Sequence, residues 1–274
     1  MGAALVVPLV SVIVPAIVSI VHDLIQLFKK EPKQPAVTDA GAGAIGLTKD
    51  EAIRSARETF GLDAVRNWNF GIIGQVKAGK SSLVNAVQGL KDNEPGAAQV
   101  GVVEVVNRPQ SFPMRGAPSC VLWDMPGANT PGNPAQTYFK DKLLCAFDGL
   151  LLLSGDTFTE PDLWVLNEAK KYNIPVGLVR TKSDMHISNI MHSDNSLSPE
   201  EAQLKLIREA RSNVEQNVDR AHFDNLHPKL FIASSRVLYC CVTNKQMRPE
   251  WREIDEEELL RWVREQAQKR IQHT

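Results

Sequence analysis

The residues whose types and spacing could do chemistry begin at Gly74–Gln75–Val76–Lys77–Ala78–Gly79–Lys80–Ser81–Ser82. A short apolar run, Phe70–Ile73, precedes them, and Leu83, Val84 and Val87 continue at helical spacing. This is the G-x-x-x-x-G-K-[ST] pattern between a strand and a helix, the context that gives the pattern meaning. Two glycines let the backbone wrap closely around an anion, and the loop amides with the helix N-terminus aim partial positive charge at it. Lys80 is placed to reach β- and γ-phosphates, and the Ser81 hydroxyl to sit on Mg²⁺. A glycine-rich turn that binds nothing would not need the lysine and serine at these positions.

Three further segments complete the constellation. Trp123–Asp124–Met125–Pro126–Gly127 follows an apolar run; Asp124 is expected to hold Mg²⁺ and the Gly127 amide to meet a γ-phosphate. Thr181–Lys182–Ser183–Asp184 follows another run. A carboxylate there can accept from the N1–H and N2–H₂ edge of guanine, while adenine would leave it buried and unpaired at a cost of about 1–3 kcal/mol. The Lys182 stem can lie over the base, and Ala233–Ser234–Ser235 could offer amides to guanine O6. In order, each at the C-terminal end of a predicted strand, these segments predict GTP or GDP with Mg²⁺ as the ligand. An ATPase is the reading they disfavour.

The runs Gly96–Val106 (GAAQVGVVEVV), Leu122–Gly127 (LWDMPG), Phe158–Trp164 (FTEPDLW) and Val179–Asp184 (VRTKSD) resemble the immunity-related GTPases, the interferon-inducible family, over about Phe70 to Ser235. The resemblance implies a Ras-like P-loop G domain, nucleotide-dependent self-association through the nucleotide face, and action at internal membranes. It also implies a helical lobe built from both termini, of which this chain is expected to lack the C-terminal part. By the same resemblance, Glu104 is a switch residue taking part in hydrolysis; otherwise it is a solvated strand charge.

Three positions depart from that pattern. Val100 stands where the first switch has a threonine, and no Ser or Thr occurs from Leu83 to Gln110, so a carbonyl, a water or Glu104 must complete the metal shell. Ala128 follows Gly127 where Ras-type enzymes carry a water-orienting glutamine, leaving Glu104, Gln75 or a second protomer for that task. Lys77, the third variable loop residue, is either a solvent-facing lysine or a built-in cation for the transition state. These departures motivate an alternative to the slow GTPase: a membrane-tethered GTP-binding scaffold with negligible turnover. His186, His192 and Asp194 lie in a polar stretch, Met185–Leu197, that reads as a loop rather than a metal site.

The elements that must position these residues follow from periodicity. Of 274 residues, 43% are apolar and 23% charged, as in folded globular chains, and the net charge of −1 gives no electrostatic case for nucleic acid. Four cysteines, none in C-x-x-C spacing, read as free thiols, with Cys145 in the core. Strands are expected at Phe70–Ile73, Val100–Val106, Ser119–Trp123, Gly149–Leu153, Ile174–Val179 and Lys229–Ala233. Helices are expected from Thr48 (capping box with Glu51), from the phosphate loop to about Leu90, at Ala135–Phe147, Glu160–Tyr172, Ser198–Val218 and Asp255–Ile271. The alternation predicts an α/β fold, a mostly parallel sheet covered by helices on both faces, plus an N-terminal helical segment. Residues 1–30 form that hydrophobic segment, 31–47 a Pro/Ala/Gly-rich linker, and 48–274 the G domain with its helical lead-in and final helix. The uncharged run Ala3–Val21 is long enough to span a bilayer or to be a buried helix; Lys29, Lys30 and Lys33 after it would leave the rest on the cytoplasmic side of a membrane.

Overall fold

The computed structural model describes residues 19–20, 22–23, 26, 48–101, 108–115, 117–130, 132–221 and 228–272. Six strands form one sheet in the order β2-β3-β1-β4-β5-β6. They are β1 (Trp68–Gly74), β2 (Gln110–Met114), β3 (Ala117–Asp124), β4 (Gly149–Ser154), β5 (Val176–Arg180) and β6 (Lys229–Ile232). All neighbours are parallel except β2 and β3, which form an antiparallel hairpin. Strand β1 is buried along its whole length and lies between β3 and β4. The chain therefore leaves β1 toward one side of the sheet and later fills the other, which opens a crevice at its C-terminal end.

Helices cover both faces. They are α1 (Lys49–Phe60), α2 (Lys80–Val87), α3 (Ala135–Asp141), α4 (Glu160–Lys171), α5 (Ser183–Ser193), α6 (Pro199–Arg220), α7 (Ser235–Thr243) and α8 (Glu256–Gln272). One core cluster gathers Phe70, Ile72, Leu83 and Leu151 with Leu259, Leu260 and Trp262 of α8; the other gathers Ile73, Leu152 and Phe147 with Leu163 and Leu166 of α4. The caps behave as their residue types dictate. Thr48 and Glu51 form the capping box of α1, and Gly61 ends that helix with φ 73°. Arg57 of α1 pairs with Asp148 at 3.0 Å and donates to the Ala146 carbonyl at 3.0 Å, which fixes the helix on the loop before β4. All four cysteines are free and buried, Cys145 among them.

Several expectations are corrected. Helix α2 stops at Val87, short of Leu90, because Gly89 turns left-handed with φ 66°. The Ala135–Phe147 helix is split: α3 ends at Asp141, Leu143 sits at φ 50°, and a short 3₁₀ turn, Leu144–Ala146, follows. The stretch Met185–Leu197 is not a loop. Most of it is α5, whose Ile187 is buried and packs with Ile190 and Met191 against Leu206 and Ala210 of α6. The spacing i, i+3, i+4 makes that apolar stripe, and the polar residues between occupy the other face. The final helix α8 is found as expected and buries Leu259, Leu260, Trp262, Val263 and Ala267. Strand β2 and helix α7 were not expected; Pro113 is tolerated in β2 because the strand lies at the sheet edge.

Most of the expected strand Val100–Val106, the linker and the bulk of Ala3–Val21 lie outside the described residues. Where the N-terminal run ends, Ile20 is buried with the first cluster and Asp23 pairs with Arg264 of α8 at 2.9 Å. Among the described residues no helix is long and apolar enough to cross a membrane. Within α2, the fully buried Asn85 holds Ala98 from both sides: its Nδ2 donates to the Ala98 carbonyl at 3.0 Å and its Oδ1 accepts from the Ala98 amide at 2.7 Å.

Helix α5 gives a direct test of the corrected packing. Ile187→Ala should lower unfolding free energy by about 2–5 kcal/mol, read from urea denaturation midpoints. A loss within the range of a surface substitution, about 0.5 kcal/mol, would place Ile187 outside the core.

Candidate functional site

The phosphate loop leaves the sheet at Gly74, where φ is 137° and a Cβ would lie 2.2 Å from the Leu153 carbonyl oxygen, so no other residue fits. Gly79, with φ 89°, is the N-cap residue of α2, and Lys77 between them is also left-handed at φ 65°. The buried Lys80 ammonium donates to the carbonyls of Gly74 at 3.1 Å and Gln75 at 2.8 Å. A buried ammonium is tolerable only with such partners, and here they are the loop's own backbone. Several of the other loop residues are tied outward. Thr181 Oγ1 donates to the Ala78 carbonyl at 2.7 Å, and a Cβ on Gly127 would lie 2.5 Å from Val76 Cγ2. Ser82 Oγ is 3.4 Å from Asp92 Oδ2. Gln75 Nε2 donates to Asp162 Oδ2 at 3.3 Å, and Asp162 also caps α4 through Thr159. That bond links the Gln75 side chain to the start of α4.

At the end of β3, Asp124 is fully buried and its Oδ2 accepts from the Ser81 hydroxyl at 2.6 Å. Its Oδ1 is buried with no hydrogen-bond partner among the described residues. Burial pushes this carboxyl above the usual aspartate range, against the opposing pull of the Ser81 hydroxyl and the Lys80 charge. A buried carboxylate oxygen with nothing to accept from, beside a serine hydroxyl, is the donor set a hard divalent cation takes, and Mg²⁺ fits it. The Met125–Gly127 turn is held in place: Tyr138 donates to the Pro126 carbonyl at 2.7 Å and Asn133 to the Gly127 carbonyl at 3.0 Å.

The third group stands at the ends of β5 and β6. The Asp184 carboxylate is buried; its Oδ1 accepts from the Ser234 hydroxyl at 2.7 Å and its Oδ2 from Arg236 Nη1 at 3.1 Å. The Ser183 amide reaches the Ala233 carbonyl at 3.3 Å, joining the two loops, and Ser235 opens α7. Lys182 is left-handed at φ 61°, and a Cβ on Gly155 would lie 2.9 Å from its Nζ, so the lysine crosses over that glycine. His186 Nε2 donates to the Gly155 carbonyl at 2.8 Å, and burial followed by the Arg180 charge holds the ring below its ordinary pKa. The structure thus brings Gly74–Ser82, Asp124, Gly127, Thr181, Lys182, Asp184 and Ala233–Ser235 to one edge of the sheet. Lys77 is exposed on that edge, Val100 is exposed, and Glu104 lies outside the described residues.

A family profile described as "Interferon-inducible GTPase (IIGP)" matches residues 51–240. The chain belongs to the interferon-inducible GTPase family. Interferon-inducible GTPase 5 of Rattus norvegicus is 31% identical over 189 residues, covering 68% of this chain and 39% of that protein. Interferon-inducible GTPase 5 of Bos taurus is 32% identical over 223 residues, covering 74% and 46%. Interferon-inducible GTPase 1 of Mus musculus is 31% identical over 121 residues, covering 44% and 29%. The chain thus spans less than half the length of these curated relatives.

The interferon-inducible GTPase match stops at residue 240, but the site does not. Glu256, in the first turn of α8, is fully buried and accepts from the Ser234 amide at 2.8 Å and the Ile254 amide at 2.7 Å. Asp255 accepts from the Ile232 amide at 2.9 Å. The start of α8 therefore braces the loop that holds Asp184. Sequence reasoning missed Glu256, Asp162 and Arg236; only the acidic first turn of α8 signalled the first, and as a helix start rather than a brace.

Burial outweighs the two amide donors and pushes Glu256 from 4.5 to about 8, and Glu253 beside it to about 7. A carboxyl whose folded pKa is raised favours the folded chain below its unfolded value and loses that contribution as pH climbs through the folded one. Between pH 5 and 8 the wild-type melting temperature should therefore decline, and Glu256→Gln should flatten that decline while Glu253→Gln removes part of the remainder. An unaltered slope in Glu256→Gln would mean that Glu256 ionises in the ordinary range.

Proposed function

We propose that this chain binds GTP and GDP with Mg²⁺ and hydrolyses GTP to GDP slowly. The observation that carries the reading is the Ser81–Asp124 hydrogen bond beside an orphaned carboxylate oxygen, in a loop whose lysine is already seated. Ser81 and Asp124 would hold the metal, which supplies charge to the phosphate oxygens where negative charge builds up. Lys80 would share its ammonium with the β/γ-phosphates, and the loop amides from Gln75 to Ser82 would line the phosphates. The Gly127 amide would meet the γ-phosphate. Asp184 would select guanine, the Lys182 stem would cover the base, and amides of Ala233–Ser235 would face O6. Glu104 and Lys77 are the residues proposed to act on the reaction itself. The exposure of Lys77 leaves its ammonium free to turn toward bridging oxygens.

Family membership supports two further proposals: nucleotide-dependent self-association through this face, and residence on the cytoplasmic side of a membrane through the N-terminal segment. A second reading, a GTP-binding scaffold with negligible turnover, is favoured by one feature. Val100 is 47% exposed in a segment without any hydroxyl side chain from Leu83 to Gln110, so no switch serine or threonine completes the metal shell.

Phosphate release measured against protein concentration separates the two. Specific turnover that climbs with concentration supports a GTPase assisted by self-association; a flat line at zero supports the scaffold. GTP binding should survive excess ATP, and displacement by ATP would overturn the guanine assignment. Lys80→Ala should weaken GTP binding by about tenfold to a hundredfold, the worth of one charge-assisted contact. Lys77→Ala should slow single-turnover hydrolysis with binding intact, and an unchanged rate removes Lys77 from the reaction.

A further inference from the structure

Asp184 is the buried half of an unequal ion pair. Its side chain is 4% exposed, whereas that of Arg236, which grips Oδ2, is 62% exposed. The other oxygen is held differently. Ser234, which donates to Oδ1, is itself fixed by Glu256 on its amide, and its hydroxyl caps α7 by accepting from the Arg236 and Val237 amides at 3.1 and 3.4 Å. Ser234 cannot move without unpicking the start of α7. The Arg236 side chain can, because it is largely exposed and its backbone amide, not its guanidinium, makes the bond to Ser234.

The chemistry of the two candidates for Oδ2 is the same. Guanine presents N1–H and the C2 amino group, which together are a planar guanidine unit with parallel donors. Arginine presents a planar guanidinium with donors in the same fork. A carboxylate shaped to accept from one accepts from the other. Each carboxylate oxygen can accept twice, so Ser234 can keep Oδ1 while a base pairs there; at Oδ2 the base competes with Arg236, whose guanidinium makes a single Nη1 bond to that oxygen.

We propose that Arg236 is an intramolecular competitor of guanine: its guanidinium holds Oδ2 of Asp184, and a base that pairs with both carboxylate oxygens competes with it for that one. The proposal rests on the reading of Asp184 as the guanine reader. It makes Arg236 a determinant of how fast guanine nucleotides enter. Without it, the buried carboxylate would await the base with only the Ser234 hydroxyl on it.

The test is stopped-flow association of a fluorescent GDP. Arg236→Ala should raise the association rate constant about two- to fivefold, the range set by a partly exposed ion pair, with dissociation little changed. Arg236→Lys, which keeps the charge without the fork, should fall between wild type and Arg236→Ala. In 1 M NaCl, where the screening length is about 3 Å, the difference between Arg236→Ala and wild type should shrink. Slower association or faster dissociation in Arg236→Ala would overturn the proposal, because Arg236 would then support the bound base rather than compete with it. Asp184→Asn separates the two layers. It should lose GDP and gain xanthosine diphosphate, whose 2-oxo group accepts from an amide. If Asp184→Asn keeps its GDP affinity, the guanine reading fails; if it switches ligand while Arg236→Ala associates at the wild-type rate, only the role of Arg236 fails.

Discussion

A buried ammonium has to be answered by nearby oxygens, and in this chain Lys80 is answered by the carbonyls of Gly74 and Gln75. That constraint orders the rest of the phosphate loop. The loop must curl back over its own lysine, which demands the left-handed turns at Lys77 and Gly79 and the close passage of Gly74 past the Leu153 carbonyl. The curl is then held from outside. Thr181 grips Ala78, Ala128 donates its amide to Gly74 at 3.0 Å, and Asp162 takes the Gln75 side chain. The loop's shape is therefore set by the chain's own contacts, the arrangement that lowers the ordering cost of binding.

The opposite end of the crevice is organised around a carboxylate rather than a cation, and its supports come from further along the chain. Asp184 sits where β5 ends, Ser234 where β6 ends, and Glu256 where α8 begins. Each link is a hydrogen bond to a buried group, so loss of one strands the next without a partner. The parallel sheet makes this convergence possible, because every one of these strands delivers its C-terminal end to the same edge.

What could be read from the sequence was local. The loop glycines, the lysine and serine behind them, the capping box at Thr48 and the apolar runs of β4 and β5 all declare themselves within a few residues. Helix α5 was hidden because its polar residues are dense, and only Ile187, Ile190 and Met191 carry its period. Strand β2 was hidden by Pro113, which argues against a strand anywhere but at an edge, and edge position is a property of the sheet. Arg236 and Glu256 were hidden for a different reason. Nothing in the spacing of an arginine or a glutamate says which distant loop it will meet; that follows only once β6 is laid beside β5 and α8 is packed across it.

The clasp between Asn85 and Ala98 bears on the segment that contains Val100. One amide side chain supplies both donor and acceptor to a single residue, as a neighbouring strand would, and it does so from a helix whose N-terminus is the phosphate loop. At its far side the same segment enters the β2–β3 hairpin, which ends at Asp124. Ala98 on one side and Gln110 on the other are thus held by elements that also carry the phosphate loop and Asp124. The entropy of closing a loop depends only weakly on its length, so the spacing between Ala98 and Gln110 matters less than what holds each end. Insertions between these anchor points should accordingly disturb the scaffold far less than a change at Asn85 itself.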